Sequence, residues 1–360
     1  MARQHATRTW ERMARLEQAD GQERQVELEA VVAALPSGQA AFAYGSGAFR
    51  QRGYAADEQP MLDVVMVVDD AVAWHAEALA DPQLAMHYGG VRALGPRALA
   101  AVQRWGMGVY YNPYVELAGR KVKYGVVEAA ALVDDLTSWS HLYLAGRLHK
   151  PVAWIGVEPL PIELTAAVDA NVDAALRASW IMLGAAPASD SLPATRIYEA
   201  IASLSYMGDP RFAVGAETPS KVPNIVAGNR DGFDALYGPR LDASPLFERS
   251  ADGGWELAPQ RELPRLPSAV ARALPSGSAG LTPGGLASPA TAATLASAIR
   301  GIVGGSAAKV QIAKGVVTAG VFGSIRYALE KLAKGGGGEC NATLGRLCSP
   351  GSSVAHFATV

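Results

Sequence analysis

The chain has 360 residues, 49% hydrophobic and 18% charged, with 32 basic and 34 acidic side chains giving a formal charge of −2. Charge lies below the roughly 25% usual in soluble proteins, and the apolar content is enough to bury a core, which excludes disorder throughout. The length suits two compact units and a tail; no global basic field points to nucleic acid, and Cys340 and Cys348, both near the C-terminus, exclude a disulfide scaffold or a cysteine-rich zinc module.

The first sixteen residues carry Arg3, Arg8, Arg12 and Arg15 against Glu11 alone, a pattern compatible with a matrix-targeting presequence. Acids then follow at Glu17, Asp20 and Glu23. Val26 to Leu35 predicts an amphipathic helix ended by Pro36-Ser37-Gly38, so residues 1–38 read as an N-terminal helical segment. Residues 39–158 hold the densest ordered signals. Ala41 to Tyr44 predicts a buried strand stopped by Gly45-Ser46-Gly47, and Met61 to Val68 a β-branched strand running into Asp69-Asp70. Trp74 to Leu79 and Pro96 to Trp105 have helical spacing. Val109 to Tyr111 and Lys121 to Val127 predict further strands, and Asp134 to Leu148 predicts one helix. Strands and helices mix without a regular βαβ beat. The fold class is therefore α/β of the α+β kind, around a short mixed sheet.

Residues 159–263 predict a smaller helical domain, with helices over Leu164 to Leu183 and Pro193 to Met207 and shorter pieces around Phe212 and Phe233. Pro, Gly, Ser and Ala dominate residues 264–290, read as a flexible tether. Residues 291–335 form a basic tail: Arg300, Lys309, Lys314, Arg326, Lys331 and Lys334 face only Glu330, a balance of +5 that leaves −7 to the rest of the chain. Apolar residues alternate with these cations. Such a stretch can lie on an anionic bilayer surface, or it can be a helix packed on its own protein with a solvated basic face. The run Gly315 to Ile325 is far short of the roughly 20 apolar residues of a spanning helix. Residues 336–360 read as a disordered terminus.

Three features could carry chemistry. Glycines after a buried strand let backbone N–H groups approach phosphate oxygens, and Tyr44-Gly45-Ser46-Gly47 adds a hydroxyl; most such segments are simply turns. Asp63 interrupts a run of valine, methionine and leucine, where a carboxylate without a partner is costly. A metal ion would satisfy it, and so would a nearby Lys or Arg. A Gly-Ser turn followed on the next strand by a metal-binding Asp resembles the nucleotidyltransferase superfamily, in which carboxylates hold divalent metals at the α-phosphate. The usual second acid two residues on is here Val65, and Asp69 and Asp70 are the remaining candidates. The third feature is the cation set Arg120, Lys121, Lys123, Arg147, His149 and Lys150, suited to neutralising phosphates or to solvating a surface; His149 could equally be a hydrogen-bonding partner of the chain. No nucleophile elbow, Walker A loop or dinucleotide fingerprint occurs.

The ordered series Tyr44-Gly45-Ser46-Gly47-Ala48-Phe49-Arg50-Gln51, Met61-Leu62-Asp63, Val68-Asp69-Asp70, Trp74-His75 and His87-Tyr88 continues through Val109-Tyr110-Tyr111-Asn112-Pro113 and Lys123-Tyr124-Gly125-Val126. It is completed by Ala145-Gly146-Arg147-Leu148-His149-Lys150-Pro151-Val152, Lys221-Val222-Pro223-Asn224-Ile225-Val226, Leu236-Tyr237 and Lys314-Gly315-Val316-Val317. Together these resemble the mitochondrial translocator assembly and maintenance family, the phosphatidate cytidylyltransferases of the mitochondrial matrix. The resemblance implies a nucleotidyltransferase domain, a winged-helix-like domain and a membrane-binding C-terminal segment. It also implies CTP and phosphatidic acid as substrates, magnesium as cofactor, and a peripheral place on the matrix side of the inner membrane. Carried onto this chain, Tyr44, Gly45, Ser46 and Gly47 would hold the triphosphate and Asp63 the metal. Lys123 would be catalytic beside Asp63, and Arg147, His149 and Lys150 would face phosphates.

The chemistry fits the residues. A phosphate monoester is already anionic near neutral pH, so its attack on CTP needs no strong general base, only cations that bring two anions together. Two other readings stand: a nucleotidyltransferase for another acceptor, and a non-catalytic assembly factor for mitochondrial import complexes. Oligomeric state is not legible.

Overall fold

The computed structural model describes residues 19–49, 59–156, 159–184, 191–209, 220–260, 264–273 and 289–315. Five strands, β1 (Ala40–Tyr44), β2 (Leu62–Val68), β3 (Val109–Leu117), β4 (Arg120–Glu128) and β5 (Ala153–Ile155), form one mixed sheet in the order β3-β4-β2-β1-β5. β2 and β4 run parallel, and the other neighbours are antiparallel. β3 turns into β4 through Ala118 and Gly119, both with positive φ (49° and 74°), the backbone that a two-residue hairpin needs to match strand twist.

Alternation sends Phe42, Val65, Val67, Tyr111 and Val127 to one face of the sheet and Leu62, Val64, Met66, Tyr110 and Tyr124 to the other. Both faces are covered, which is why β2 reads as an unbroken apolar run. Helices Ala19–Ala33, Ala71–Ala80 and Gly95–Arg104 close the second face with Leu28, Val31, Trp74, Ala78 and Leu99. Helices Ala129–Ser138, Ile162–Leu183, Ala194–Ser203 and Arg230–Ala243 close the first, where Leu132, Trp180, Ile197, Phe233 and Tyr237 share one core with the strands. A short hairpin, β6 (Phe247–Arg249) with β7 (Trp255–Leu257), follows them. Among the described residues no helix is long and apolar enough to cross a membrane.

Three expectations are corrected. The helix expected over Asp134 to Leu148 stops at Ser138, where Trp139 adopts a left-handed φ of 57°; only Ala145–Leu148 turns helical again. The tether expected over 264–290 begins with a helix, Ser268–Ala273, whose Val270 is buried in the shared core; residues 274–288 lie outside the described residues. The start of the basic tail is packed on the body. Helix Pro289–Val303 buries Leu295 and Ile299 in the core that holds Ile162–Leu183. Residues 306–315 are helical as well, and Lys314, buried, donates to the carbonyls of Gln103 (3.1 Å) and Trp105 (2.7 Å) at the end of helix Gly95–Arg104. Lys314 thus caps a helix C-terminus, where a cation suits the dipole. Residues 316–335 of the expected tail, the terminus beyond them and the basic residues 3–15 fall outside the described residues.

Candidate active site

The site sits where β1 ends and β2 and β4 begin, on the sheet face turned toward the helical half. Pairing aligns Tyr44 with Asp63 and Asp63 with Lys123, so three neighbouring strands present these side chains in one row. Gly45 follows Tyr44 with φ 75° and opens a single helical turn, Gly45–Ala48. A side chain at 45 would lie 3.6 Å from Asp63 Oδ2, so the turn and the carboxylate face each other. Gly47 is required for another reason: a Cβ there would sit 2.4 Å from the Met61 carbonyl oxygen, at the approach to β2. Arg24 supports the turn from behind, donating to the carbonyls of Gly47 (3.1 Å) and Ala48 (3.3 Å).

Asp63 Oδ1 lies 3.4 Å from Lys123 Nζ, with both side chains partly exposed (25% and 17%). The reading of Asp63 as a partner for a cation of the chain is therefore realised, and the cation is the other residue expected to be catalytic. The separation exceeds the about 2.8 Å of a tight charge-assisted bond. A raw attraction of about 5 kcal/mol at this distance is largely offset by partial desolvation. Asp63 is thus oriented rather than locked, and Oδ2 is directed at Gly45.

Tyrosines wall the row. Gly125 on β4 carries no side chain because the Tyr111 ring occupies that place, within 2.6 Å of where a Cβ would be. Lys123 Nζ lies 4.5 Å from the centre of that ring, and Tyr111 and Tyr44 hydroxyls are 3.4 Å apart. Burial pushes both phenols well above their usual range, so they stay neutral. Arg147 lies across Tyr143 (3.8 Å) and Tyr44 (5.0 Å) and donates to the Tyr143 carbonyl at 2.6 Å. Beyond it, Lys150 donates to Ser205 Oγ at 2.9 Å and to the Gly146 carbonyl.

Tyr143 and Arg147 are placed by a residue that sequence reasoning missed. The buried carboxylate of Asp135 accepts the backbone N–H groups of His141, Leu142, Tyr143, Leu144 and Ala145 at 2.8 to 3.0 Å. Five donors on one carboxylate fold residues 139–145 into a compact loop and prevent a continuous helix. The only signal was an acid within an apolar stretch, the same signal that Asp63 gives.

The structure also removes candidates. His149 is fully buried, its Nε2 on Asn171 Oδ1 (3.1 Å), its ring 5.0 Å from Trp139, and its carbonyl bonded by the Tyr237 hydroxyl (2.7 Å). Burial, then Lys150, push its pKa down to about 3, so it stays neutral and structural rather than facing phosphates. Asp69 and Asp70 lie beyond the far end of β2, about 20 Å from Asp63 at strand rise. Asp70 caps helix Ala71–Ala80 through Val72 (2.7 Å) and Ala73 (3.2 Å), and Asp69 takes Gln39, so neither is a second metal ligand. Arg120 pairs with Glu27, and Lys121 is exposed. Among the described residues no group of three or more His, Cys, Asp or Glu gathers that could hold a metal. Among the described residues Asp63 is the one carboxylate left in the row, and a single carboxylate with substrate phosphates and water is a donor set that would fit magnesium. A cavity of about 710 Å³ bordered by Tyr198, Arg230, Asp234, Arg249 and Trp255 lies at the β6–β7 hairpin, apart from this row.

The family whose description reads "Phosphatidate cytidylyltransferase, mitochondrial" matches residues 28–257. A relative of that name from Xenopus laevis is 38% identical over 312 residues, covering 82% of this chain and 89% of its own. The human relative is 41% identical over 217 residues, covering 60% of this chain and 46% of its own length; the Schizosaccharomyces pombe relative is 40% identical over 206 residues, covering 57% and 50%. The matched region thus spans about half of the human and yeast proteins and most of the Xenopus one. It contains the whole row from the Gly45 turn through Asp63, Lys123 and Arg147 to Lys150. The chain belongs to the mitochondrial phosphatidate cytidylyltransferase family.

Proposed function

We propose that this protein transfers the cytidylyl group of CTP to phosphatidic acid, releasing pyrophosphate and forming CDP-diacylglycerol, the precursor of cardiolipin and phosphatidylglycerol. The observation that carries this reading is the in-register row of Tyr44, Asp63 and Lys123 facing the Gly45-Ser46 turn, with Arg147 alongside. The backbone of Gly45 and the Ser46 hydroxyl receive the triphosphate, where the absence of a side chain at 45 lets phosphate oxygens approach. Asp63 Oδ2, beside that turn, would hold magnesium together with those oxygens. The ion would supply positive charge to the α-phosphate and to departing pyrophosphate.

The residues of the chain do the rest. Lys123 orients Asp63 and presents an ammonium to the same phosphates. Arg147, held flat by two tyrosine rings, adds a second cation at a fixed position. The acceptor phosphate oxygen attacks the α-phosphorus while the bond to pyrophosphate breaks, and no side chain has to remove a proton from a monoester already ionised. His149, neutral and buried, takes no part.

The fold resembles a nucleotidyltransferase domain followed by a winged-helix-like unit, a reading that the mixed sheet and the β6–β7 hairpin support. A lipid acceptor and relatives named mitochondrial support a peripheral place on the matrix side of the mitochondrial inner membrane. Contact with anionic lipid falls to the tail 291–335, where Lys309, Val310 and Ile312 are exposed, although Leu295, Ile299 and Lys314 are buried in the body. Incubating the purified chain with α-labelled CTP, magnesium and phosphatidate vesicles tests the reading. Label should enter the organic phase with release of pyrophosphate; label confined to water would refute it.

A further inference from the structure

Helix Ala19–Ala33 packs on the sheet face opposite the site, where Leu28 and Val31 seat it in the second core. Arg24 and Glu27 stand one turn before those residues on the same stripe, the spacing being i, i+3, i+4 and i+7. This register carries two polar side chains to the end of the sheet where β1 stops and β2 and β4 start. Arg24 Nη1 donates to the carbonyls of Gly47 (3.1 Å) and Ala48 (3.3 Å). Glu27 accepts from Arg120, the first residue of β4. Arg120 donates in turn to the Pro60 carbonyl (3.2 Å), two residues before β2.

These contacts fall on the three segments that carry the site. A single helical turn such as Gly45–Ala48 leaves its last carbonyls without partners inside the helix and is too short to hold its own shape. Arg24 gives two of those carbonyls a donor. On its other side the turn meets β2 directly, because Gly47 lies against the Met61 carbonyl. Pro60 and Met61, which lead to Asp63, are therefore held between Arg120 and the turn. Lys123 follows Arg120 by three residues on the same strand. Two side chains of one helix face thus set the Gly45 turn, Asp63 and Lys123 in a common frame, although neither belongs to the row itself.

We propose that Arg24 is a positioning residue for the nucleotide: through the Gly47 and Ala48 carbonyls it holds the Gly45–Ala48 turn in the shape that receives a triphosphate. Glu27 and Arg120 hold the entry to β2 in the same frame. The identity of the nucleotide rests on the cytidylyl-transfer reading, while the support of the turn follows from the contacts alone. Two glycines in four residues make that support necessary, since glycine retains the most freedom to lose. A turn fixed beforehand is not ordered at the moment the phosphates arrive, so binding is tighter. Residues 19–33 are on this account a working part of the transferase rather than an appendage to it.

Arg24→Met keeps a long side chain of good helix propensity and removes its donors. Calorimetry on the full chain, with magnesium-CTP and dihexanoyl phosphatidate as separate probes, should show CTP bound about tenfold more weakly by the variant and phosphatidate changed by less than about twofold. Arg24→Lys can still donate to both carbonyls and should recover most of the loss. Amide exchange at residues 45–49 should quicken in Arg24→Met while the amides of β2 keep their protection. The proposal is overturned if folded Arg24→Met binds CTP as tightly as the natural chain, if both ligands weaken equally, or if the lysine variant is as weak as the methionine one. Glu27→Gln, which releases Arg120 and leaves Arg24 in place, keeps the test decisive should Arg24→Met fold poorly. It should also weaken CTP and spare phosphatidate, and an unchanged CTP affinity there would count against the common frame. Failure of the transfer reading looks different: no lipid product from the natural chain, with CTP bound and that binding weakened in Arg24→Met. Failure of the positioning role alone shows as product formed with unchanged KM for CTP in both variants.

Discussion

Asp63 and Lys123 stand at paired positions of two parallel neighbouring strands, carboxylate and ammonium 3.4 Å apart, second in β2 and fourth in β4. The pair holds the carboxylate toward Gly45 while keeping a cation beside it. Lys123→Met removes the ammonium without altering the strand. It should lower kcat about a hundredfold, the scale of losing one electrostatic contact to the transition state. Steady-state kinetics with CTP varied checks this; an unchanged kcat would confine Lys123 to holding the sheet.

Two glycines of one turn should respond differently. Gly47→Ala drives a methyl against the Met61 carbonyl, a backbone atom that cannot move aside, and should cost about 2 kcal/mol or more in urea unfolding. Gly45→Ala should cost about 1 kcal/mol, the strain of φ 75° in a residue with a side chain. Its methyl also occupies space in front of Asp63 Oδ2, so activity should fall far more than stability.

Asp135 gathers five backbone donors, and its loss would leave them buried without acceptors. Asp135→Asn turns an NH2 group toward some of those donors. It should destabilise the protein by about 3 kcal/mol. Activity in the surviving folded fraction should also drop, because the loop that presents Tyr143 and Arg147 loosens. Unfolding curves and activity at 10 °C separate the two effects.

Burial, then Arg147 and Lys221, hold the pKa of Lys150 down to about 7 from an ordinary 10.5. The groups around it are those two cations, neutral His149, the Ser205 hydroxyl and the Tyr206 ring. The unfolded chain therefore binds more protons than the folded one between these values, and the contribution of Lys150 to stability rises with pH across that window. Unfolding free energy in urea should therefore rise from pH 7 upward in the natural chain relative to Lys150→Met. Urea unfolding from pH 6.5 to 8.5 should show that rise in the natural chain and a smaller one in Lys150→Met; equal profiles would contradict it.

The strands and the neighbourhood of Gly45, Asp63 and Lys123 were legible because their signals are local. A β-branched run with one acid, glycines after a strand and a lysine entering another strand each mark their positions without knowledge of the fold. The loop 139–145 was not legible. Leu132, Leu136, Leu142, Leu144 and Leu148 are all buried and mimic helical spacing, while the interaction that breaks the helix links Asp135 to backbone groups six to ten residues away. His149 misled because a histidine between two cations looks like phosphate machinery, whereas packing turns it onto Asn171. Charge counting read 291–335 as a basic tail, lying on an anionic bilayer or packed on its own protein. Burial of Leu295, Ile299 and Lys314 depends on surfaces of Ile162–Leu183 and Gly95–Arg104 that no local pattern reveals.

The role of Asp63 is tested most directly by single-turnover transfer from labelled CTP to phosphatidate, in the natural chain and in Asp63→Asn, with circular dichroism and thermal unfolding run in parallel. The variant should keep its fold and lose transfer by at least about a thousandfold. Transfer within tenfold of the natural chain, by a variant folded as well as that chain, would contradict the account.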